Sequence, residues 1–420
     1  MTTSEASEPA KPQSFAPPWI FGITNIPFGV AGTYTGVAMP FLLGKKGVPI
    51  ETIAVISALS LLPAAYQLFW APILDLGMRR RSWLILCSFA GSFCLAATLL
   101  LKLPDNLDLY KVLTVLGQGL VGLVASCNGA LVSTRVDPEK RGRAAGYVNA
   151  ANLGASALGG GLVLTLASQF SNEVAAIGLV LMICLPALAA LAIPEPPPMK
   201  EPILAHLADM AKEVWRAVRS RKGWTGLCFC ISPVGTVALT NLLSALGKDY
   251  SVPDNMVAMV NGYGGGFVTA VGALASGYIL DRADRRKLYL LAGILTAAVA
   301  AGIALAPKTI EVYVVGSILY LAVAGLAYAA FSAVVYEIVG TAGKTASTLY
   351  SVFPAAGNQA ISYTVFLDGK AGGRWGTQAI FWADAALNMA GVICLFLLLR
   401  VVFPDKKAQQ EPDSQEEKRT

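Results

Sequence analysis

Ile73-Leu74-Asp75-Leu76-Gly77-Met78-Arg79-Arg80-Arg81 and Ile279-Leu280-Asp281-Arg282-Ala283-Asp284-Arg285-Arg286-Lys287 are two versions of one phrase, with Asp75 and Asp281 lying 206 residues apart. Each phrase ends an apolar run and opens a basic cluster that leads into the next run. A chance basic loop accounts for one such stretch; a second at the matching place in the other half of the chain marks an internal repeat. In a tight turn between two membrane helices, the carboxylate can meet the N-terminus of a neighbouring helix. The arginine forks can meanwhile pair with acids at other helix ends, giving a releasable latch.

Outward from these turns the chain is 55% hydrophobic and 14% charged, against about 45–50% and about 25% in soluble domains. Its apolar runs approach the roughly 20 residues that cross a bilayer core of about 30 Å. Spans are expected near 18–43, 51–74, 82–103, 110–135, 144–168 and 174–193, then near 223–246, 254–280, 288–306, 312–338, 345–367 and 377–403. Between the two sets, residues 194–222 run from Pro194, Pro196, Pro197 and Pro198 into a stretch where Ile203, Leu204, Leu207, Met210, Val214 and Val218 recur at helical spacing among basic residues. This predicts an amphipathic helix on the membrane surface. The expected organisation is a disordered terminus at 1–17, a six-helix bundle at 18–193, the linker at 194–222, a second bundle at 223–403 and a disordered charged tail at 404–420.

Lys and Arg concentrate on the termini, the linker and the loops of the same side, which predicts both termini in the cytoplasm. The formal charge of +6 is thereby read as topology, and no nucleic-acid partner is expected. The first eighteen residues are polar and proline-bearing, unlike a cleaved signal. All 7 cysteines fall in apolar runs, without metal-ligand spacing, and His206 sits in the linker with no second ligand nearby. No metal and no cofactor are expected. The glycines at 154, 159, 160 and 161, and at 262, 264, 265 and 266, lie inside spans without a Gly-Lys-Ser/Thr ending, so they read as close-packing positions of moving helices.

With these residues in place, the chain resembles the major facilitator superfamily, whose second-to-third and eighth-to-ninth helix loops carry a G-x-x-x-D-x-x-x-R-R-like motif. Gly277, Asp281, Arg285 and Arg286 match it, and Ala71 stands where the first copy would have glycine. The resemblance implies an all-α integral membrane protein of twelve transmembrane helices in two six-helix bundles. Helices one, four, seven and ten would line a cavity and two, five, eight and eleven would gate it. A closer likeness is to the muropeptide permease and acetyl-CoA transporter branch. It rests on Pro27-x-Gly29, Pro40, Gly47-Val48, Ile53, then Phe69, Trp70, Ala71 and Pro72 before Asp75, with Trp83, Ser126, Ala130, Leu131, Glu139, Arg141 and Gly142 beyond. That branch carries acids in helix four where this chain has Asn128, Val132 and Ser133.

Polar side chains in mid-span face a bundle interior, where they bind a solute or tie helices together. On this frame the solute contacts are Asn25, Tyr34, Gln118, Asn128, Asn241, Tyr328, Asn358, Gln359 and Tyr363, led by Tyr34, Tyr328, Asn358 and Gln359. With no Lys or Arg at mid-depth, they suit a neutral or zwitterionic solute, sugar-like or peptide-like, or the muropeptides of the resembling branch. The latch set is Asp75, Arg79, Arg80, Asp281, Arg285, Arg286 and Glu337, with Glu337 pairing Arg285 or Arg286. Asp384, two turns into the last span, is divided between a structural partner and a protonatable coupling residue. Without a carboxylate on the cavity helices, proton coupling is expected to be weak, indirect or absent.

The resulting expectation is a secondary transporter working by alternating access in a bacterial inner (plasma) membrane. Its alternatives are an efflux protein for amphipathic, drug-like compounds and, from another class, a membrane receptor or enzyme. An enzyme would need a convergent acid, base, nucleophile or metal set, which the sequence does not offer. A receptor would be expected to add a folded domain.

Overall fold

The computed structural model describes residues 15–75, 77–103, 105–195, 212, 214–253, 256–257, 259–340 and 346–402. The expectations for 1–14, for most of the linker including His206, and for 403–420 fall outside them. Twelve helical segments follow in order: α1 Pro18–Lys45, α2 50–75, α3 Arg80–Leu100, α4 Leu107–Arg135, α5 Arg141–Gln169, α6 Asn172–Ala192, α7 221–250, α8 Met259–Leu280, α9 Arg285–Leu305, α10 Ile310–Val339, α11 Ala346–Trp375 and α12 Thr377–Val402. Among the described residues nine helices are long and apolar enough to cross a membrane; α2, α7 and α11 occupy the other three places of the pattern. Of the linker helix, residues 212 and 214–219 are described, and they are helical.

The irregular segments have local causes. Proline lacks the N–H that a helix interior needs and crowds the preceding turn. In α1 the helix breaks at Asn25, just before Pro27, and then widens to a π turn over Tyr34–Ala38. In α7 it stops at Ile231, and residues 232–237, which include Pro233 and Gly235, are not helical. The span expected to be continuous over 223–246 is therefore two half-helices around an unwound centre. By contrast α11 runs eight residues past its expected end at 367, taking Asp368 into the helix.

Within the N-terminal half α3 packs on α4 and α6, and α1 on α5; within the C-terminal half α9 packs on α10 and α12, and α8 on α10. The halves meet most closely where α5 crosses α8. A Cβ on Gly146 would lie 2.8 Å from the Ala273 carbonyl, and one on Gly277 would lie 3.0 Å from that of Gly142. The absence of side chains there lets two backbones touch, which larger residues would forbid.

Candidate functional site

The two repeated turns meet at one end of the molecule, the basic end. Asp75, with its side chain 1% exposed, accepts hydrogen bonds from the backbone N–H of Ser347 (3.1 Å) and Thr348 (2.9 Å) and from the Thr348 hydroxyl (2.8 Å). It thus caps the start of α11, in the other half. Arg80 holds the same carboxylate from behind, at 3.0 Å. Asp281 accepts from the backbone N–H of Arg143 (3.0 Å) and from its guanidinium, capping the start of α5. Each acid therefore neutralises the positive end of a helix across the molecule.

Glu337 pairs with Arg285 (3.5 Å) and Arg286 (3.3 Å), and Arg285 also donates to the Pro138 carbonyl. Among the described residues the Arg79 side chain pairs with no acid, while its carbonyl accepts from the Ser82 and Trp83 N–H groups at the start of α3. Arg141 joins the same end: it donates to the Ser133 carbonyl at 2.7 Å and lies against Gly340, beside the C-terminus of α10, where a cation is favourable.

A second tier closes the end further in. The Ser126 hydroxyl on α4 meets that of Ser351 on α11 at 2.8 Å and receives the Gln67 amide of α2 at 2.5 Å. Ser332 on α10 receives the Asn149 amide of α5 at 2.8 Å. Ser126 and Ser332 are again 206 residues apart, so this tier also belongs to the repeat. Between these bonds Tyr350 lies over Gly129 and stacks on Tyr336 with ring centres 5.9 Å apart. Single serines in apolar runs carry no sequence signal of their own; comparing positions at the repeat offset would have singled them out.

Beyond the second tier the facing helices carry uncharged polar groups. Seven residues are nearly two helical turns, so Asn358 projects from the face of α11 that meets α4 at Ser351, two turns farther on, and it is exposed. Gln359, also exposed, follows Thr348 on the stripe that faces α2. Tyr328 lies one turn beyond Ser332 on the face of α10 turned toward α5, and its carbonyl receives the Asn149 amide at 3.3 Å. Gln118 donates to the Thr35 hydroxyl of α1 at 2.5 Å, below the exposed Gly32 and Gly36, where a Cβ would meet nothing within 4 Å. Asn241, in the far half of α7, is exposed.

The remaining expected contacts are engaged inside a bundle. Tyr34 is fully buried, with its hydroxyl 2.5 Å from that of Thr98 on α3. Asn128, also fully buried, donates to the Phe21 carbonyl (3.0 Å) and the Asn25 side chain (3.3 Å) and accepts from Thr24 (2.7 Å). Asn25 in turn donates to the Val148 carbonyl at 3.3 Å. This knot repairs the break in α1, and its members are buried and bonded to one another within the N-terminal half. Tyr363 donates to the Ile231 carbonyl of α7 at 2.7 Å, at the edge of that space. Asp384, fully buried, accepts from Tyr320 at 3.1 Å.

A profile of the Major Facilitator Superfamily matches residues 21–362. No curated protein matches the chain by sequence. Among solved structures it is similar to the E. coli fucose:proton symporter FucP (12% identity, TM-score 0.67, covering 91% of this chain and 98% of that one). It is also similar to the human organic anion transporter MFSD10 (15%, 0.64, 90% and 100%) and to the proton:xylose symporter XylE (12%, 0.62, 90% and 94%). At these identities the likeness concerns the fold alone. With a family profile spanning most of its length and a helical frame of membrane-crossing segments, the chain belongs to the Major Facilitator Superfamily of secondary membrane transporters.

Proposed function

We propose that this protein moves a small neutral or zwitterionic solute, a sugar or a sugar-bearing peptide such as a muropeptide, by alternating access. The observation that carries the reading is the chemistry beyond the second tier: the exposed amides of Asn358 and Gln359 on α11, with Tyr328 on α10 and the Thr35-bound Gln118 on α4 around them, and with the arginines of the latch gathered at the closed end. Such groups pair with hydroxyls and amides and offer no counter-charge to a strong anion. The names of FucP and XylE, symporters of fucose and xylose, support a sugar-like solute. The resemblance of residues 22–75 to the muropeptide permease branch supports one bearing a peptide.

On this reading the basic end is cytoplasmic, by the placement of Lys and Arg, and the protein sits in a bacterial plasma membrane. The state described is closed toward the cytoplasm. Opening requires Asp75 and Asp281 to leave the starts of α11 and α5, and the second tier to part. Glu337 is occupied by two arginines, which leaves Asp384 as the coupling candidate.

The test is a thermal-shift screen of purified protein against monosaccharides, disaccharides, muropeptide fragments and organic anions, followed by counterflow of the hit in liposomes. Asn358→Ala and Gln359→Ala are each expected to weaken binding by about five-fold to a hundred-fold, from about 1–3 kcal/mol per lost buried hydrogen bond. Parental affinity in both variants, or stabilisation by organic anions alone, overturns the proposal.

A further inference from the structure

The hairpin of α11 and α12 holds two carboxylates outside the solute path. Gly376 alone separates the two helices, and its φ of +85° turns the chain back on itself. Residues equally distant from Gly376 therefore lie at one level. The register is visible at Gly372 and Ile380, each four residues from the hinge, where a Cβ on Gly372 would sit 2.5 Å from the Ile380 side chain. Asp368 and Asp384 are each eight residues from the hinge, one turn deeper, about 12 Å along the helices at 1.5 Å per residue. Both are fully buried.

The layer around them is rich in oxygen. Tyr320 of α10 donates to one oxygen of Asp384. The other Asp384 oxygen, both oxygens of Asp368, the Asn388 side-chain oxygen and the Ser317 hydroxyl have no hydrogen-bond partner. Asn388 follows Asp384 by one turn on the same stripe of α12 and donates its amide to the Asp384 backbone carbonyl at 2.9 Å. Ser317 precedes Tyr320 by one turn on the same face of α10. Among the described residues no Lys or Arg pairs with either acid. The neighbouring cations are turned to aromatic rings instead, Lys370 over Phe366 (4.6 Å) and Arg374 over Trp375 (5.2 Å). Five buried oxygens without partners on α10, α11 and α12 are far from the usual satisfaction of buried polar groups, and two unpaired carboxylates cost more still.

We propose that Asp368, Asp384, Asn388 and Ser317 form a binding site for a dehydrated monovalent cation, Na+, inside the C-terminal half. A proton shared by two carboxylates engages only two of the five oxygens, whereas an alkali cation draws on several oxygen ligands at once. Mg2+ gives up its water reluctantly and Ca2+ takes six to eight oxygens, so a buried set of at most five oxygens favours the monovalent ion. With Na+ against one carboxylate and a proton kept on the other, the site carries no net charge. The ion would steady α7 as well: Asp384, Asn388 and Gly391 form one stripe of α12, and a Cβ on Gly391 would lie 2.9 Å from Pro233 in the unwound segment. The proposal adds a coupling ion to the transport reading, and its test uses no solute, so the two can fail separately.

The experiment is thermal unfolding of the purified full chain in detergent, with NaCl exchanged for choline chloride at constant ionic strength and fixed pH. The parent is expected to show a saturable rise of Tm with Na+. Asp368→Asn and Asp384→Asn should lose that rise while melting in choline no lower than the parent, since each removes a buried charge. Asn388→Ala should raise the half-saturating Na+ concentration about ten-fold. A parent Tm indifferent to Na+, a rise that persists in both Asn variants, or stabilisation by Ca2+ or Mg2+ in place of Na+ overturns the proposal. So does a Tm set by pH alone in choline, which would assign the pair to a proton. If both Asn variants fail to fold, the parent and Asn388→Ala titrations decide.

Discussion

Pro27-Phe28-Gly29 in α1 and Pro233-Val234-Gly235 in α7 stand 206 residues apart, yet the same phrase bends one helix and dismantles the other. In α1, Asn25 keeps a nearly helical backbone (φ −95°, ψ −11°), and the neighbouring Phe21 carbonyl is taken up by Asn128. Gly29 is pressed against α5, where a Cβ would lie 2.5 Å from the Asn152 carbonyl. In α7, Gly235 (φ +72°) and Val237 (φ +43°) are left-handed. The loose carbonyls are claimed by tyrosines: Phe229 and Val234 by Tyr289, and Ile231 by Tyr363. At the matching offset the N-terminal half has Trp83 and Ala157 in place of these two tyrosines. A proline-glycine phrase thus sets where a membrane helix yields, and the hydrogen-bond donors around it set how far.

The largest test of this contrast is Gly235→Ala. Its Cβ would need a left-handed backbone and would lie 2.7 Å from the Tyr289 ring. Strain and overpacking together should cost about 3 kcal/mol, read as a fall in Tm. Gly32→Ala, in open space on α1 at ordinary dihedrals, should leave Tm unchanged. Equal effects at the two sites would erase the distinction.

Next in size is the asymmetry of the latch. Asp75 receives three bonds across the molecule and Asp281 two, both from Arg143, so Asp75→Asn should open the closed end more than Asp281→Asn. A loss of about 2 kcal/mol would shift the balance of states roughly thirty-fold. Thiol labelling of a cysteine placed at Ser351 checks this, alongside slowed transport at undiminished expression. Parental labelling and transport in both variants would remove the latch. The smallest effect should come from Tyr363→Phe, which frees the Ile231 carbonyl in a region with room for water. It should cost about 1 kcal/mol in Tm, and a larger loss would mean that one tyrosine holds the break alone.

The frame of the fold is legible in the sequence because a span is a count of apolar residues and a latch is a repeated phrase. The acids of the turns could be matched to helix N-termini from charge alone. What hydropathy hides is direction. Asn25, Tyr34 and Asn128 are polar and mid-span, as a binding residue would be, but each has a partner within its own half. Asp368 escaped notice because Lys370 and Arg374 lower the hydropathy of the last turns of α11, although the helix continues to Trp375. The unwinding of α7 had a signal in Pro233 and Gly235, but its extent depends on Tyr289, more than fifty residues away in sequence.

The single-residue turn at Gly376 also ties this protein to its surroundings. Through it the gating α11 is yoked to α12, which shows Met389, Ile393, Phe396, Leu397 and Val401 on its outer side. When α11 tilts, that greasy flank must sweep through the lipid chains, so each opening does mechanical work on the bilayer. The thickness and stiffness of the surrounding lipid then become part of the transport barrier, and the membrane acts as a spring on the gate.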